Sequence, residues 1–296
     1  ILSFGADLTL SGVGQVYAQD SGDLIRILGT AAGLDEGTGQ LLELSDVDQA
    51  GGTLTVDTSA GGVGFGTTLT NAQLVAPAPD PAGLVALPGA VTLLNGLRMN
   101  AVTFDVDAQL GRLDGSDYVY SDGGLTVNAT LQLAAGQSRD AWLYLNGAQT
   151  VGGTGRIEMS SANTADGAPD NRVIADGTLA EPELFTFDAG LTLAGAGWLY
   201  ARDGGDRIAV LGTLEGAGGG TLRVDDLDNA GATVTVDASA GAVQLGDYAG
   251  NAVIAAAAGQ TGALSFLNGV TLDGITLGID AGFGAPDSSQ YVYVEN

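Results

Sequence analysis

The sequence lacks cysteine, histidine and lysine, and its nine basic residues are all arginines. Without cysteine and histidine the chain cannot form a disulfide, a zinc finger or a haem ligand pair. It also cannot act through a cysteine nucleophile or a histidine-based catalytic triad. The lack of disulfides does not assign a compartment, because a long repetitive fold can be stabilised by stacking alone.

Positive charge and long apolar runs are also scarce. The chain has 35 acidic residues against 9 basic ones, which gives a formal net charge of −26. Phosphate backbones are bound by clustered arginine and lysine, so we expect no nucleic-acid partner and no attraction to anionic membranes. No run of about 18 apolar residues is present, and we expect no membrane insertion of this segment. The chain begins at Ile1 without a signal peptide, which indicates a mature or excised segment.

Glycine and short alternating segments dominate what is present. There are 49 glycines, and apolar–Thr–apolar triplets recur between turns rich in Gly, Asp, Asn and Ser. Alternation with a period of two is typical of strands that bury one face, and these turn residues tolerate positive φ. We predict that the apolar members are buried, namely Leu8, Leu10, Leu54, Val56, Leu191, Leu193, Val234 and Val236. We predict that their threonines point outward, namely Thr9, Thr55, Thr192 and Thr235.

The chain also repeats itself. Residues 4–33 match residues 187–216 without a gap at an offset of 183. The match continues at an offset of 180 between residues 53–57 and 233–237, and at an offset of 173 between 118–120 and 291–293. The sequence therefore predicts a first full repeat unit at 1–183 and a partial second copy at 184–296, continuous with the first along one rod. We expect further copies in a longer parent protein.

Three all-β architectures compete for this pattern. A β-sandwich favours longer strands and more aromatic core than the 6% present here, although two tandem sandwiches remain an alternative. A propeller needs a period near 40–50 residues, which the sequence does not show. A parallel β-solenoid fits the short strands, glycine turns and small apolar residues. We therefore predict an all-β parallel solenoid.

Several strings resemble a known class of proteins. They are LTLSGVG at 8–14, LTLAGAG at 191–197, LNGAQTVGGTGRIEM at 145–159 and NGVTLDGITLGIDA at 268–281. They resemble the right-handed parallel β-helices of bacterial large exoproteins, such as autotransporter passengers and haemagglutinin-like adhesins. The resemblance implies the fold class and an extracellular place at the bacterial cell surface. It implies no ligand, because it contains no diagnostic catalytic motif.

A repeated pair of aspartates is the candidate metal site. Asp46 and Asp48 correspond in the repeat to Asp226 and Asp228, each pair flanking one apolar residue. Calcium takes six to eight oxygen ligands, often from carboxylates and turn carbonyls, so the pattern indicates a possible calcium site. The glycine-rich nonapeptide of secreted calcium-roll proteins is absent. The favoured interpretation is that both carboxylates point outward from a strand whose middle residue is buried. No other cofactor is indicated.

The remaining motifs concern sugars. A polysaccharide lyase needs a basic residue beside its carboxylates, and the only close arginines, Arg202 and Arg207, align with Gln19 and Leu24 in the first copy. We therefore predict that the chain is not an enzyme. Aromatic residues could stack on sugars or fill the corners of coils; they are Tyr17, Tyr118, Tyr120, Trp198, Tyr200, Tyr291 and Tyr293.

Taken together, the sequence predicts a structural or adhesive extracellular repeat protein, such as a surface scaffold, a surface layer (S-layer) or a filament. We expect it to contact further copies of the same repeat, to self-associate, or to bind a cell-surface glycan. The alternative is a carbohydrate-binding or polysaccharide-cleaving β-helix protein.

Overall fold

The computed structural model describes residues 1–34, 40–78, 90–110, 117–133, 140–160, 171–178, 181–260, 262–283 and 291–295. The regular structure in these ranges consists of β-strands, and every strand pairing is parallel. The described part of the chain has no helix that is long and apolar enough to span a bilayer. The prediction of an all-β parallel solenoid is confirmed.

The strands are short except where one continues around a corner. In chain order they are β1 (Leu2–Phe4), β2 (Thr9–Gly12), β3 (Gly14–Val16), β4 (Ile25–Ile27), β5 (Thr30–Gly33), β6 (Leu41–Asp57), β7 (Gly62–Val75), β8 (Val91–Leu93), β9 (Arg98–Asp105), β10 (Ala108–Leu110), β11 (Asp117–Ser121), β12 (Thr126–Val127), β13 (Thr130–Leu133), β14 (Ala141–Asn146), β15 (Thr150–Val151), β16 (Arg156–Ser160), β17 (Asn171–Asp176), β18 (Leu184–Phe187), β19 (Thr192–Ala201), β20 (Arg207–Val210), β21 (Thr213–Gly216), β22 (Thr221–Asp228), β23 (Thr233–Asp237), β24 (Ala242–Gly250), β25 (Val253–Ala256), β26 (Leu264–Phe266), β27 (Thr271–Asp273), β28 (Thr276–Gly278), β29 (Ala281–Phe283) and β30 (Tyr293–Glu295).

Each turn of the solenoid crosses three faces, which we name A, B and C in the order in which the chain meets them. The first turn places β1 on face A, β2 on face B and β3 on face C, and each pairs with a strand of the next turn. Successive layers are therefore stacked at the inter-strand spacing of about 4.8 Å. The pairings of face A connect Leu2, Ile25, Val47, Leu69, Met99, Ser121, Leu145, Ala175 and Ala201.

The core is a continuous apolar column inside the three faces. Because side chains alternate along a strand, every second residue points inward and stacks on the inward residue of the next layer. The largest fully buried side chains include Phe65, Phe104, Phe185, Phe187 and Phe266. Burying an aliphatic or phenyl side chain of this size contributes about 1.5–3 kcal/mol. Most of the stability of the rod therefore comes from contacts between adjacent layers.

Six of the eight apolar positions predicted to be buried are buried, namely Leu54, Val56, Leu191, Leu193, Val234 and Val236. The prediction was wrong for Leu8, which is 45% exposed, and Leu10 is only partly buried. Both belong to the first described layer, where β2 pairs only with β5 and no described layer packs beneath it. The threonines lie outside the core: Thr9 is exposed, and Thr55, Thr192 and Thr235 are partly covered by their neighbours.

Single residues in the left-handed conformation turn the long strands around the corners. Asp46 and Thr67 have φ of 58° and 57° within β6 and β7, and Asp226 and Asp247 have 59° and 50° within β22 and β24. One such residue between two extended stretches redirects the chain while the backbone on both sides keeps its pairing. Aspartate and asparagine adopt this conformation more readily than most residues with a side chain, which explains part of the acidic composition.

An ion pair braces the region where the two predicted units meet. Arg156 on β16 donates from Nη1 and Nη2 to the carboxylate of Glu215 on β21, at 2.7 and 2.9 Å. The layer between them contributes Ala194, whose register partners are Glu158 below and Glu215 above. The small side chain of Ala194 leaves room for Arg156 to pass over it. The hydrogen bonds that Arg156 donates to Glu215 also raise the pKa of Arg156 above its ordinary value.

The repeated Leu-Gly-Thr motif has a steric basis. A Cβ atom on Gly29 would collide with the backbone oxygen of Leu8, and a Cβ atom on Gly212 would collide with the backbone oxygen of Leu191. Leu8 and Leu191 are themselves repeat partners. At the same corner of both copies the chain therefore passes too close to the layer below for any residue except glycine.

We expect Gly212→Ala to lower the free energy of unfolding by about 1–3 kcal/mol, because backbone cannot yield to the added methyl group as a flexible side chain could. Gly204→Ala is the matched control, since a Cβ atom there meets nothing within 4 Å. We expect that control to change stability by no more than about 0.5 kcal/mol. Urea denaturation followed by circular dichroism measures both variants, and equal stability of the two would contradict the steric explanation.

Candidate functional site

The outer surface of face A carries an unusual concentration of aromatic and arginine side chains, which we call the aromatic band. One column runs through consecutive layers as register partners on β11, β14, β17, β19 and β22. A second column lies two residues further along the first four of these strands. The band consists of Tyr118, Trp142, Arg172, Trp198 and Arg223 in the first column and Tyr120, Tyr144, Ile174 and Tyr200 in the second.

The rings of the band stack on one another along the axis of the rod. Tyr120 and Tyr144 are stacked with centroids 5.1 Å apart, and Tyr118 meets Trp142 edge to face at 5.0 Å. Contacts of this kind each add about 0.5–1.5 kcal/mol beyond area burial. The rings are half-buried, and stacked rings turn their faces to each other. The surface that they offer to a ligand therefore consists largely of ring edges and hydroxyl groups.

Guanidinium groups extend the aromatic stack. The Cζ atom of Arg172 lies 4.3 Å from the ring centroid of Trp142 and 5.6 Å from that of Trp198. Arg223 covers Trp198 from the layer above, at 4.5 Å. Cation–π contacts contribute about 0.5–2 kcal/mol each, depending on desolvation. In this column arginine therefore takes the place that another ring would occupy.

Polar side chains border the band, and their charges are paired. Arg98 donates two hydrogen bonds to Asp122, at 2.9 and 2.5 Å, and its Cζ atom lies 5.2 Å from the ring centroid of Tyr120. Asn146 donates to the same carboxylate at 2.6 Å, and Arg202 forms an ion pair with Asp176 at 3.2 Å. The border is therefore close to electrically neutral on a chain whose net charge is −26.

A buried carboxylate anchors the upper end of the band. Asp225 is 1% exposed; it accepts a hydrogen bond from Nε1 of Trp198 at 2.8 Å and two from Arg223 at 2.9 and 2.6 Å. Burial raises the pKa of Asp225, and the hydrogen bonds from Arg223 act against that rise. Bidentate pairing of this kind fixes both side chains in one geometry.

The first copy has a different set of residues at the positions of this anchor. Gln15, Glu43 and Ser45 stand where the second copy has Trp198, Arg223 and Asp225. There, Nε2 of Gln15 donates to the Glu43 carboxylate at 2.9 Å. The two copies therefore share a backbone pattern and differ in the chemistry of the outer surface.

The pKa of Tyr144 is raised to about 12, first by burial and then by the neighbouring Tyr120. Its hydroxyl group is neutral across the physiological pH range, as that of an ordinary tyrosine also is. A neutral phenol can both donate and accept a hydrogen bond, which suits recognition of hydroxyl groups on an uncharged partner.

The aspartates of the candidate calcium site take part in corner hydrogen bonds. Asp48 accepts hydrogen bonds from the Ala50 amide at 2.9 Å and from the Asn71 side chain at 3.1 Å. Burial acts to raise the pKa of Asp48, but these hydrogen bonds, the charge of Arg26 and a hydrogen bond with Thr70 together lower it. In the second copy Asp228 accepts the equivalent hydrogen bonds from the Ala230 amide and from the Asn251 side chain.

Asp46 and Asp226, the other members of the two pairs, occupy left-handed corners. Val47 and Leu227, which lie between the paired aspartates, are fully buried. Among the residues described by the structure, no three or more Asp, Glu, His or Cys side chains are grouped so that they could hold a metal ion. Calcium binding at Asp46, Asp48, Asp226 and Asp228 stays a prediction.

The structure also locates the other residues singled out in the sequence. Arg202 and Arg207 have different partners, because Arg202 pairs with Asp176 while Arg207 stacks on Tyr248 at 4.3 Å.

The aromatic residues singled out in the sequence fall into two groups. Those that come together in the band are Tyr118, Tyr120, Trp198 and Tyr200. Tyr17, Tyr291 and Tyr293 lie elsewhere and are 62%, 54% and 55% exposed. Three members of the band were not singled out in the sequence, namely Trp142, Tyr144 and Arg172. The first two could have been found from their Trp-x-Tyr spacing, which repeats the Tyr-x-Tyr spacing of residues 118–120.

The pKa of the corner residue Asp226 can be tested through the pH dependence of stability. The pKa of Asp226 is raised to about 6, mainly by burial, against the attraction of Arg207 3.8 Å away. The native state then binds this proton more tightly than the unfolded chain does. The contribution of Asp226 to stability is therefore lost as the pH rises from about 4 to about 6.

We expect Asp226→Asn to leave stability unchanged at pH 4 and to raise it by about 1–2 kcal/mol at pH 7, after allowance for partial solvent exposure. Asparagine tolerates the left-handed conformation of this position. Asp46→Asn, at the equivalent corner of the first copy, controls for the general effect of removing one negative charge. Urea denaturation at both pH values measures the gain, and a gain that is equal at pH 4 and pH 7 would refute the burial of this charge.

Comparison with known proteins identifies no family for this chain. No protein-family model matches the sequence, and no curated protein or solved structure is significantly similar to it. The fold therefore stands on the observed strand pairings, and any function has to be argued from the surfaces described above.

Proposed function

We propose that this chain is part of a structural or adhesive extracellular repeat protein of the bacterial cell surface, in which the solenoid serves as a stiff scaffold, a surface layer or a fibre. The observation that carries the proposal is the continuous pairing of β15, β16 and β17 with β18 and β19. The predicted units 1–183 and 184–296 meet there without a separate interface. A rod of this kind lengthens by adding units.

The resemblance of the sequence to adhesin-type exoproteins supports the extracellular place. The use of the carboxylates supports a non-enzymatic role. Those of Asp48 and Asp228 accept hydrogen bonds at corners, and those of Asp122 and Asp225 are held by arginines. General acid–base catalysis needs a carboxylate that is free to exchange a proton with a substrate. These four carboxylates are not free in this way, and we propose no catalytic activity for this chain.

Self-association through the ends of the rod is the first test. Among the described strands, β1 pairs only with β4, and β30 pairs only with β27. Unpaired strand edges readily accept another strand. We expect small-angle scattering of the full chain to give a rod about 60 Å long at low concentration, and sedimentation to show end-to-end multiples as the concentration rises.

Charged substitutions at Val292 and Val294 should suppress these multiples, because both side chains lie on or beside the last described strand. Val292→Asp with Val294→Asp is the test variant, and Thr53→Asp, which adds charge at an exposed site on the side of the rod, is the control. A wild-type chain that stays monomeric at high concentration, or a control that disassembles as readily as the test variant, would count against open ends.

Carbohydrate binding through the aromatic band is a second candidate function. Tyrosine, tryptophan and arginine are the residue types that contribute most to recognition surfaces, and the band sets them beside the paired groups Asp122, Asn146 and Asp176. Its border is close to neutral while the chain as a whole repels anions. The band therefore suits a neutral glycan better than an acidic one.

Affinity electrophoresis tests this role. We expect the migration of the chain to be retarded in gels that contain a neutral glucan and not in gels that contain polygalacturonate. Tyr120→Ala combined with Tyr144→Ala should reduce the retardation at least about tenfold, which corresponds to about 1.4 kcal/mol. Tyr248→Ala, on face B, is the matched control. Retardation that the control loses equally would exclude the band as the binding surface.

A further inference from the structure

We infer that one repeat unit advances the solenoid by seven turns plus one face, so that corresponding positions of successive units point in different directions. The inference combines two independent observations, which are the sequence repeat and the register of the strands. Neither observation contains the result alone, because the repeat does not show which face a segment occupies.

The advance can be counted along face A. Starting at Leu2 on β1, seven successive pairings lead to Ala175 on β17. The next strand along the chain, β18, pairs with β15 below it and β20 above it, and these strands form face B. Phe187 of β18 is the repeat partner of Phe4 of β1. The second copy therefore starts seven layers higher and one face further on.

The later matches of the repeat give the same advance. Leu54 lies on face B, where it pairs with Leu74, whereas its repeat partner Val234 lies on face C, where it pairs with Ile254. Tyr120 belongs to face A, and its partner Tyr293 pairs with Thr271 on face B. The sequence offset falls from 183 to 180 and then to 173 between these matches, yet the shift of one face persists. Insertions and deletions have therefore changed the lengths of segments between matched strands without changing the order of the faces.

The physical basis is that all three faces are built in the same way. Each is a short strand with apolar residues pointing inward, phenylalanines among them. Stacking requires only a strand of matching register below it. A unit that contains seven turns of three strands, plus one further strand, is therefore as stable as a unit with a whole number of turns. The repeat does not have to match any symmetry of the cross-section.

The consequence is visible in the tyrosines of this single chain. Tyr17, which corresponds to Tyr200, follows β3 on face C, and the full aromatic band occupies face A. Tyr291 and Tyr293, which correspond to Tyr118 and Tyr120, lie at face B with ring centroids 5.3 Å apart. Equivalent aromatic residues thus occur on all three sides at successive heights.

Such a rod fits a partner that surrounds it, and we assign that partner as a meshwork of neutral glycan chains rather than a flat layer that contacts one side. This assignment rests on the carbohydrate-binding role proposed above. The one-face advance does not depend on that role, so the two can fail separately.

Engineered disulfides test the advance, because the chain has no cysteine of its own. Thr150 and Thr186 are register partners on face B, and neighbouring parallel strands hold Cα atoms within disulfide range. We expect Thr150→Cys with Thr186→Cys to crosslink within one molecule on mild oxidation. Trypsin cleaves at Arg156 and Arg172 between the two sites, so mass spectrometry identifies the linked peptides.

The competing pair is Asp176→Cys with Thr186→Cys. A unit with a whole number of turns would place Thr186 above Asp176 on face A, and this pair would then crosslink in preference. Circular dichroism of the reduced variants checks that both fold. Crosslinking of the competing pair without the first pair would overturn the advance. If the Thr150–Thr186 crosslink forms but the chain is not retarded in gels that contain the neutral glucan, only the assigned partner would be overturned.

Discussion

The parallel hydrogen-bonding register between successive layers is the constraint on which the rest of the structure depends. Each strand between the two ends is bonded to the strand one turn below and to the strand one turn above, so its side chains are aligned with those of their register partners. Leu110 lies under Leu133 in the core, and Thr30 lies under Thr55 on the outside. This vertical alignment produces the apolar column of the core, the rows of threonines on the outside and the aromatic band. A change in one layer is therefore felt first by the residue one turn away.

The same constraint explains which features could be predicted from the sequence. Alternating triplets and glycine-rich turns are local signals, and they correctly predicted short strands with one buried side. Leu8 was misjudged, because burial in a solenoid depends on the layers on both sides and not on the triplet itself. Calcium binding by the paired aspartates stays a prediction. Their hydrogen bonds could not be predicted from the sequence, because those of Asp48 with Ala50 and Asn71 link a local turn to the next layer.

The aromatic band could not be predicted as a unit, because its members are far apart in the sequence. Tyr118, Trp142, Arg172 and Trp198 are separated by 24, 30 and 26 residues, and only the strand register shows that these unequal intervals each correspond to one turn. For the same reason, the sequence alone does not show which faces the two copies occupy. Sequence comparison aligns residues along the chain, whereas the surface is assembled across it.

The two copies conserve backbone geometry more closely than they conserve polar contacts. Asn229 exchanges two hydrogen bonds with the backbone of Val210 inside the fold, at 2.7 and 2.8 Å. Gln49 occupies the equivalent place in the first copy, where its buried amide has no hydrogen-bond partner among the described residues. An unsatisfied buried amide costs about 1–3 kcal/mol. The continuous apolar core evidently tolerates such a loss in one layer, which leaves surface and corner residues free to diverge between copies.

The ion pair between Arg156 and Glu215 changes how the rod can come apart. In a simple solenoid each layer interacts only with its nearest neighbours, so unfolding can proceed from an end one layer at a time. This bridge passes over the layer of Ala194 and couples two layers that do not otherwise touch through their strands. It therefore adds a second-neighbour coupling to an otherwise one-dimensional system. Unfolding that proceeds layer by layer therefore has to break this ion pair as well, which adds a coupling of about 1 kcal/mol across three layers where the units meet.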